Sequence, residues 1–372
     1  MSTPPEFASA LAAGPDWGQA AKACLDRLRV PEGANFGLLY VTDHLADDIG
    51  SILTLLKGVT GIRDWVGTVG IGICGTGAEL FDAPGVSVLA ARLPEGSVRT
   101  FPAVTGDIAR FREETGGWRA GHAPRLGIVH ADPRQDRLAE IVGALAAEAG
   151  GFLVGGLASS RGACAQVAGL VQEAGVSGAL LDGAVSVSVG VTQGCSPIGP
   201  VRRVTQAREN VLMELDGRPA LACFKEDIGE LLARDLRRVG GYIYAGLPVE
   251  GSDAGDYLVR NLVGIDPVRG WIAIGEAVEP GRPVLFCRRD AAAARLDLER
   301  MVERTASRLP GPAKGALYVS CVARGPALFG EAGELGLVAR KLGEVPLAGF
   351  FAGGEIAHDR LYGYTGVLTL FA

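Results

Sequence analysis

Three stretches of the sequence repeat one order of elements: a strand, an amphipathic helix, a second strand, a loop and a third strand. They lie at residues 37–89, 126–181 and 315–371. The lengths of chain between them are unequal, which argues against a solenoid and favours copies built into common sheets. We therefore predict an α/β protein of pseudo-repeated β-α-β-β units that form layered mixed sheets flanked by helices.

Apolar residues at helical spacing support this prediction. In each repeat they recur three or four positions apart, as on the buried face of a helix. They are Ile49, Ile52, Leu53 and Leu56, then Leu138, Ile141, Val142 and Leu145, and finally Leu335, Val338 and Leu342. The same spacing predicts a helix over residues 16–30. Residues 1–16 are rich in proline and alanine, and we expect them to be frayed.

The rest of the chain suggests how it divides into domains. Residues 101–121 are polar and contain several glycines, so we expect an excursion between the first two repeats. Residues 201–215 are expected to form a strand, and residues 223–238 a helix. The Asp-Gly and Arg-Pro pairs at 216–219 indicate an exposed turn between them. We predict an N-terminal extension and helix at 1–33, a first domain at 34–217 and a second at 218–372.

Charge and cysteine content exclude several classes of protein. The net charge is -6 and the pI is near 5.4, which gives no bulk attraction to nucleic acid or anionic membranes. No apolar run approaches the roughly 20 residues of a membrane span, and the first residues do not resemble a signal peptide. The seven cysteines include no Cys-x-x-Cys pair, so we expect no disulfide framework and no metal site. A cytoplasmic location is expected.

Several short motifs follow one another in an order that is more specific than any of them alone. They are TQGCSPIGP at 192–200, NVLMELDGRPA at 210–220, RN at 260–261 with Asp266, RD at 289–290, CVARG at 321–325, FG at 329–330 and GGEI at 353–356. In this order they resemble the bacterial-type FIST signal-transduction proteins, which pair a FIST N-terminal with a FIST C-terminal domain. The resemblance covers roughly residues 34–360.

The resemblance implies a sensory protein that binds a small polar ligand. In this family amino acids are proposed ligands, haem is reported for some members, and kinase, cyclase or ubiquitin-ligase components act as outputs. The chain has no room for such an output domain, so the resemblance implies signalling through a separate partner protein. We expect neither an enzyme nor a nucleic-acid or membrane partner.

We expect the ligand site to lie in the second domain, against the loop at 192–200. Polar residues that break an apolar strand or stand at a strand end are candidates for its lining: Gln193, Cys195, Arg260, Asn261, Arg289, Cys321 and Glu355. Arg260 has two interpretations, an arginine that recognises an anion or the structural partner of Asp266. Glu355 could hold an ammonium group or be a solvated loop residue. Asp290 is expected to cap a helix.

Two other functions are compatible with the sequence. Cys195 or Cys321 could serve a cysteine-dependent acyl-transfer or hydrolytic enzyme, although spacing assembles no catalytic set around either. A haem-binding sensor would find its axial ligands among His44, His130, His358 and Cys195. The glycines at 70, 72 and 75 match the spacing of a dinucleotide fingerprint, but they lie within a predicted strand rather than in the turn that binds phosphate.

Overall fold

The computed structural model describes residues 6–249, 256–330 and 333–372. The chain divides into two compact units. The first comprises Met1–Thr192 with Arg295–Ala372, and the second comprises Gln193–Ala294. The first unit contains all three predicted repeats, built as layered mixed sheets with helices, so the predicted fold class is confirmed.

The first repeat begins with a strand that the sequence did not predict. Its elements are β1 (Phe7–Ala13), α1 (Trp17–Arg27), β2 (Phe36–Thr42), α2 (Ile49–Thr60), β3 (Asp64–Gly70), β4 (Gly72–Gly75), β5 (Ala78–Phe81) and β6 (Gly85–Ala91). The expectation that residues 1–16 are frayed is wrong for β1, because this strand pairs along its whole length with β6. The N-terminus of α1 is capped by Asp16, whose carboxylate accepts a hydrogen bond from the Gln19 amide at 2.8 Å.

The second repeat includes the segment expected to be an excursion. Its elements are β7 (Val98–Val104), α3 (Ala109–Arg119), β8 (Pro124–Ala131), α4 (Leu138–Ala149), β9 (Phe152–Leu157), β10 (Gln166–Ala168), β11 (Leu170–Gln172) and β12 (Val176–Asp182). Strand β7 pairs with β12, and the ring of Phe101 packs edge-on against Phe111 of α3 at 4.9 Å. The prediction that this segment is an excursion is therefore wrong. Two buried aromatic residues fix the otherwise polar segment to the sheet.

The described residues of the second unit form a sheet of eight strands with an α-helix and a short 3-10 helix. Strand β13 (Val187–Gln193) belongs to a sheet of the first unit and leads into the second. The elements of the second unit are β14 (Cys195–Pro197), β15 (Arg202–Arg208), β16 (Val211–Leu215), β17 (Arg218–Pro219), α5 (Ala220–Ala233), β18 (Ile243–Pro248), β19 (Tyr257–Asp266), β20 (Trp271–Ile274) and β21 (Pro283–Arg289). Because β21 pairs with β18 as well as with β15, the sheet closes on itself.

Two sequence predictions in this unit need correction. Residues 201–215 are not one strand but the hairpin of β15 and β16, which turns at Glu209 with a positive φ of 53°. The helix expected at 223–238 ends earlier, since Gly229 takes a φ of 78° inside α5 and a short 3-10 helix follows at Leu236–Val239. The turn after Gly217 lies inside this compact unit, and the division into residues 34–217 and 218–372 stays a prediction.

The third repeat returns the chain to the first unit. Its elements are α6 (Ala291–Ser307), β22 (Gly315–Cys321), α7 (Gly325–Phe329), α8 (Gly333–Leu342), β23 (Leu347–Ala352), β24 (Glu355–Ala357), β25 (Arg360–Tyr362) and β26 (Thr365–Phe371). In each repeat one strand pairs in parallel with the strand that follows its crossover helix (β2 with β3, β8 with β9 and β22 with β23) and antiparallel with the last strand of the repeat (β6, β12 and β26). The helix between the parallel strands makes the crossover that such pairing needs.

In each repeat a β-hairpin pairs with a strand that belongs to another repeat. The hairpin of β4 and β5 pairs with β23 of the third repeat, that of β10 and β11 pairs with β3 of the first, and that of β24 and β25 pairs with β9 of the second. Following the exchanges from repeat to repeat leads back to the start. The three repeats are therefore interlocked.

Within each repeat, a glycine in the strand after the crossover helix (β3, β9 or β23) allows that strand to lie close to its parallel partner. A Cβ atom at Gly67, Gly155 or Gly349 would lie only 1.7 to 1.8 Å from a carbonyl oxygen of the neighbouring parallel strand. The repeats also meet through aromatic residues, since the ring of Tyr40 stacks on Phe350 at 5.0 Å and its hydroxyl lies 3.1 Å from Nε2 of His130. Among the described residues no helix is long and apolar enough to cross a membrane.

Candidate functional site

The seven residues predicted to form one site are divided between the two units. Gln193, Cys195, Arg260, Asn261 and Arg289 belong to the second unit, and Cys321 and Glu355 belong to the first. The sequence prediction grouped them because each breaks an apolar strand or stands at a strand end.

In the second unit, Arg260 pairs with a residue that the sequence did not indicate. Its Nε lies 2.6 Å from Oε2 of Glu276, and Arg282 binds the other oxygen of that carboxylate at 3.0 Å. Asp266 instead accepts hydrogen bonds from the amides of the turn that follows it. The expected pair of Arg260 with Asp266 is wrong, because six residues of extended strand separate them by about 20 Å.

The other predicted residues of this unit lie along β14, β19 and β21. Asn261 is exposed, and Arg289 is half-buried opposite Cys195 in the register of β14 and β21. Gln193 donates a hydrogen bond to the Tyr257 carbonyl at 3.4 Å, and the Tyr257 hydroxyl donates to the Cys195 carbonyl at 2.5 Å. The prediction for Asp290 is confirmed, since it caps α6 by accepting from two backbone amides at 3.0 Å.

The first unit contains a buried cluster of charged residues at the end of β22. Arg324 and Glu334 are both 0% exposed, and Nε of the guanidinium lies 2.9 Å from Oε1 of the carboxylate. The second carboxylate oxygen accepts hydrogen bonds from Tyr318 at 2.5 Å and Ser320 at 2.8 Å. Burying an arginine is expensive unless its charge is paired, and this carboxylate provides the pairing.

The local backbone explains why these side chains meet. Arg324 follows β22 in a tight turn closed by a hydrogen bond from its amide to the Cys321 carbonyl, at 2.8 Å. Glu334 lies in the first turn of α8, where a carboxylate is favoured by the helix dipole. The amide of Leu335, in the same turn, donates to Oε1 of Glu79 from the exchanged hairpin of the first repeat.

Glu355 lies in the same neighbourhood, at the start of β24. It is 0% exposed, and its Oε2 accepts hydrogen bonds from the amide of Thr365 at 3.1 Å and from its hydroxyl at 2.5 Å. Burial raises the pKa of Glu355 to about 8, against the opposing effects of Thr365 and of the Arg324 charge. This carboxyl is therefore largely protonated at neutral pH. The interpretation of Glu355 as a solvated loop residue is wrong.

Two buried atoms of this cluster are left unsatisfied. In the described part of the chain, neither Nη2 of Arg324 nor Oε1 of Glu355 has a hydrogen-bond partner, and both atoms are buried. The groups interact electrostatically with each other. Burial alone would lower the pKa of Arg324, but the Glu334 charge outweighs it, so the guanidinium stays protonated. The cluster therefore leaves one N–H donor of a charged guanidinium and one carboxyl oxygen buried and unsatisfied among the described residues.

Cys321 adjoins this cluster, and its thiol is one of the neighbours that oppose the rise in the pKa of Glu355. Burial raises the pKa of Cys321 to about 12, so the thiolate that a nucleophilic cysteine needs is scarce at neutral pH. The cysteine-dependent enzyme finds no support in this environment. Cys195 is also buried.

The histidines considered as haem ligands are scattered. His44 lies 3.4 Å from Asp43, and His358 is half exposed beside Asp359. His130 is fully buried, burial lowers its pKa to about 3, and its Nδ1 has no partner among the described residues. No group of three or more His, Cys, Asp or Glu residues in the described ranges could hold a metal ion. A haem ligand set stays a prediction.

Sequence reasoning missed Arg324, Glu334 and Tyr318. The sequence did contain a signal for Arg324, because this residue belongs to the CVARG motif at 321–325 that carries part of the family resemblance. Glu334 and Tyr318 gave no comparable signal: one begins an apolar-periodic helix, where an acidic residue is common, and the other lies in an apolar strand. Only the fold brings their oxygens together.

Comparisons with known proteins agree with the motifs. A model of the FIST N domain matches residues 35–218, and a model of the FIST C domain matches residues 220–358. An uncharacterized protein of Mycobacterium tuberculosis is 45% identical over 213 residues, which are 54% of this chain and 55% of the relative. An uncharacterized protein of Mycobacterium bovis is 41% identical over 210 residues, 54% of each chain. The chain spans about half the length of these curated relatives.

Proposed function

Because this chain belongs to the FIST family, whose domains are associated with signal transduction, we propose that it is a sensor of a small zwitterionic metabolite such as an α-amino acid. Its output passes to a separate partner protein. The observation that carries the proposal is the buried pair of unpartnered atoms, Nη2 of Arg324 and Oε1 of Glu355.

Arg324 suits the carboxylate of such a ligand. A guanidinium presents several N–H donors in a fixed plane, and Nε is already occupied by Glu334 while Nη1 makes only long contacts of 3.4 and 3.5 Å with backbone carbonyls. The Nη2 side therefore has donors available for an anion. Glu334 holds the guanidinium in place and keeps its own charge compensated.

Glu355 suits the ammonium group. Its Oε2 is fixed by Thr365, which leaves Oε1 as the acceptor. Burial disfavours the ionised form of this carboxyl, and an ammonium ion beside it would favour that form. Ligand binding would therefore release a proton from Glu355 near neutral pH.

Thermal shift and calorimetric titration test this proposal. Each α-amino acid is compared with its α-hydroxy acid, which lacks the ammonium group, and with the matching amine, which lacks the carboxylate. A ligand at 100 times its Kd adds about 2.7 kcal/mol to the native state. We expect at least one amino acid to raise the Tm while both of its analogues fail.

The analogues decide between outcomes. If an amino acid and its hydroxy acid bind equally well, the ammonium group makes no contact that matters and Glu355 is not part of the site. If the amine binds as well as the amino acid, the same conclusion holds for the carboxylate and Arg324. If no amino acid raises the Tm or gives a binding isotherm, the proposed ligand class is wrong. The polar residues of the second unit, Gln193, Cys195, Arg260, Asn261 and Arg289, stay a second proposal for a ligand site.

A further inference from the structure

One short helix, α7, packs against the buried guanidinium of Arg324. Phe329 of α7 lies against it, with the guanidinium carbon 5.1 Å from the ring centre. The side chains of Leu328 and Phe329 are buried, whereas Pro326 and Gly330 are exposed. One side of α7 therefore covers Arg324, and the other side faces water.

Glycines with positive φ angles lie at both ends of this helix. Gly325 has a φ of 29° and Gly330 a φ of 73° with a ψ of -165°. The second conformation is open essentially to glycine alone. Such positions can absorb the backbone rotations of a hinge without displacing β22 before the helix or α8 after it.

A side chain from outside the helix binds its end. Arg295 of α6 donates a hydrogen bond from Nη2 to the carbonyl oxygen of Phe329 at 2.7 Å. Within the helix, the amide of Leu328 donates to the Arg324 carbonyl at 3.0 Å and the amide of Gly330 to the Pro326 carbonyl at 2.9 Å. The attachment at Phe329 joins a charged donor to a carbonyl, and it lies near the surface.

We propose that α7 is a lid over the Arg324 and Glu355 site, that it swings on Gly325 and Gly330, and that Arg295 is its latch. The inference rests on the proposed function, because both groups are fully buried and a ligand reaches them only when something moves. Release of the Phe329 carbonyl frees the end of the helix and lifts the Phe329 ring from the guanidinium. The latch thereby sets the rate of ligand entry and exit.

Hydrogen exchange of the ligand-free full-length chain tests the lid without any ligand. In Arg295→Met the amides of Leu328 and Gly330 should exchange about tenfold faster or more, as expected when a charged hydrogen bond is lost. Arg300→Met makes the same change one turn and a half further along α6 and serves as control. Arg295→Lys, which can still donate to the carbonyl, should give a smaller acceleration.

Alkylation of Cys321 by N-ethylmaleimide, followed by peptide mapping, reports access to the site itself, since this thiol contacts Glu355. Its rate should rise in Arg295→Met and in Gly330→Ala, where the closed backbone is strained by a Cβ. Unchanged exchange and alkylation in both variants, with Tm values near that of the wild type, would overturn the lid. Altered rates in a protein that binds no amino acid would leave the lid in place and contradict only the ligand.

Discussion

Nε of Arg324 lies 2.9 Å from Oε1 of Glu334, and neither side chain reaches solvent. Placing two charges in the interior has a desolvation cost that their attraction only roughly offsets, so such a pair is weak evidence for stability. The hydroxyl groups of Tyr318 and Ser320 satisfy one carboxylate oxygen, while one nitrogen of the guanidinium stays without a partner in the described chain. An incompletely satisfied buried pair is better explained by binding than by folding.

The first prediction concerns this pair. Arg324→Met should destabilise the protein by about 3–5 kcal/mol, because it leaves the Glu334 carboxylate buried without its counter-charge. The double variant Arg324→Met with Glu334→Gln should regain most of that loss, since the amide keeps an oxygen for Tyr318 and Ser320. Urea unfolding measures both. Equal stability of the single and double variants would contradict the pairing.

The second prediction is a pH dependence. The folded pKa of Glu355 is about 8, above the usual value of 4.5, so the folded state binds more protons than the unfolded state between these pH values. This group therefore lowers the free energy of unfolding as pH rises from 4.5 to 8. Glu355→Gln keeps the acceptor for Thr365 without a titrating proton. The variant should lose less stability than the wild type between pH 5 and pH 8, by a few kcal/mol.

The repeats could be predicted from the sequence because apolar periodicity is a local signal. The exchange of hairpins could not, because nothing within β4 and β5 records that their partner is β23, more than two hundred residues away. The same limit applies to the site. Arg260 was selected because an arginine inside an apolar strand is unusual. In the structure it pairs with Glu276 in the second unit, and both side chains are partly exposed. Arg324 stands in a turn, where an arginine is ordinary until the fold buries it.

The third prediction tests the close approach of the two parallel strands within a repeat. Gly349→Ala should prevent stable folding or cost several kcal/mol, because the new Cβ would lie 1.8 Å from the Tyr318 carbonyl oxygen. Gly58→Ala, in α2, meets no atom within 4 Å and should stabilise the protein by about 0.5–1 kcal/mol. Thermal unfolding of both variants provides the comparison. A near-native Tm for Gly349→Ala would show that the parallel strands can move apart at this position.

The last prediction decides between the two candidate sites. Arg324→Lys and Arg260→Lys both keep a positive charge and lose the planar fork that binds a carboxylate through two hydrogen bonds. Each arginine is also paired with a glutamate, so the two substitutions are matched in kind. With the amino acid that gives the largest thermal shift, Arg324→Lys should weaken binding about tenfold or more, since a hydrogen bond to a charged group contributes about 1.5–3 kcal/mol. Arg260→Lys should leave the Kd unchanged.

Calorimetric titration beside the Tm of each ligand-free variant separates a loss of affinity from a loss of folding. The reverse result, with binding lost in Arg260→Lys and kept in Arg324→Lys, would move the ligand to the second unit and leave Arg324 as a structural residue.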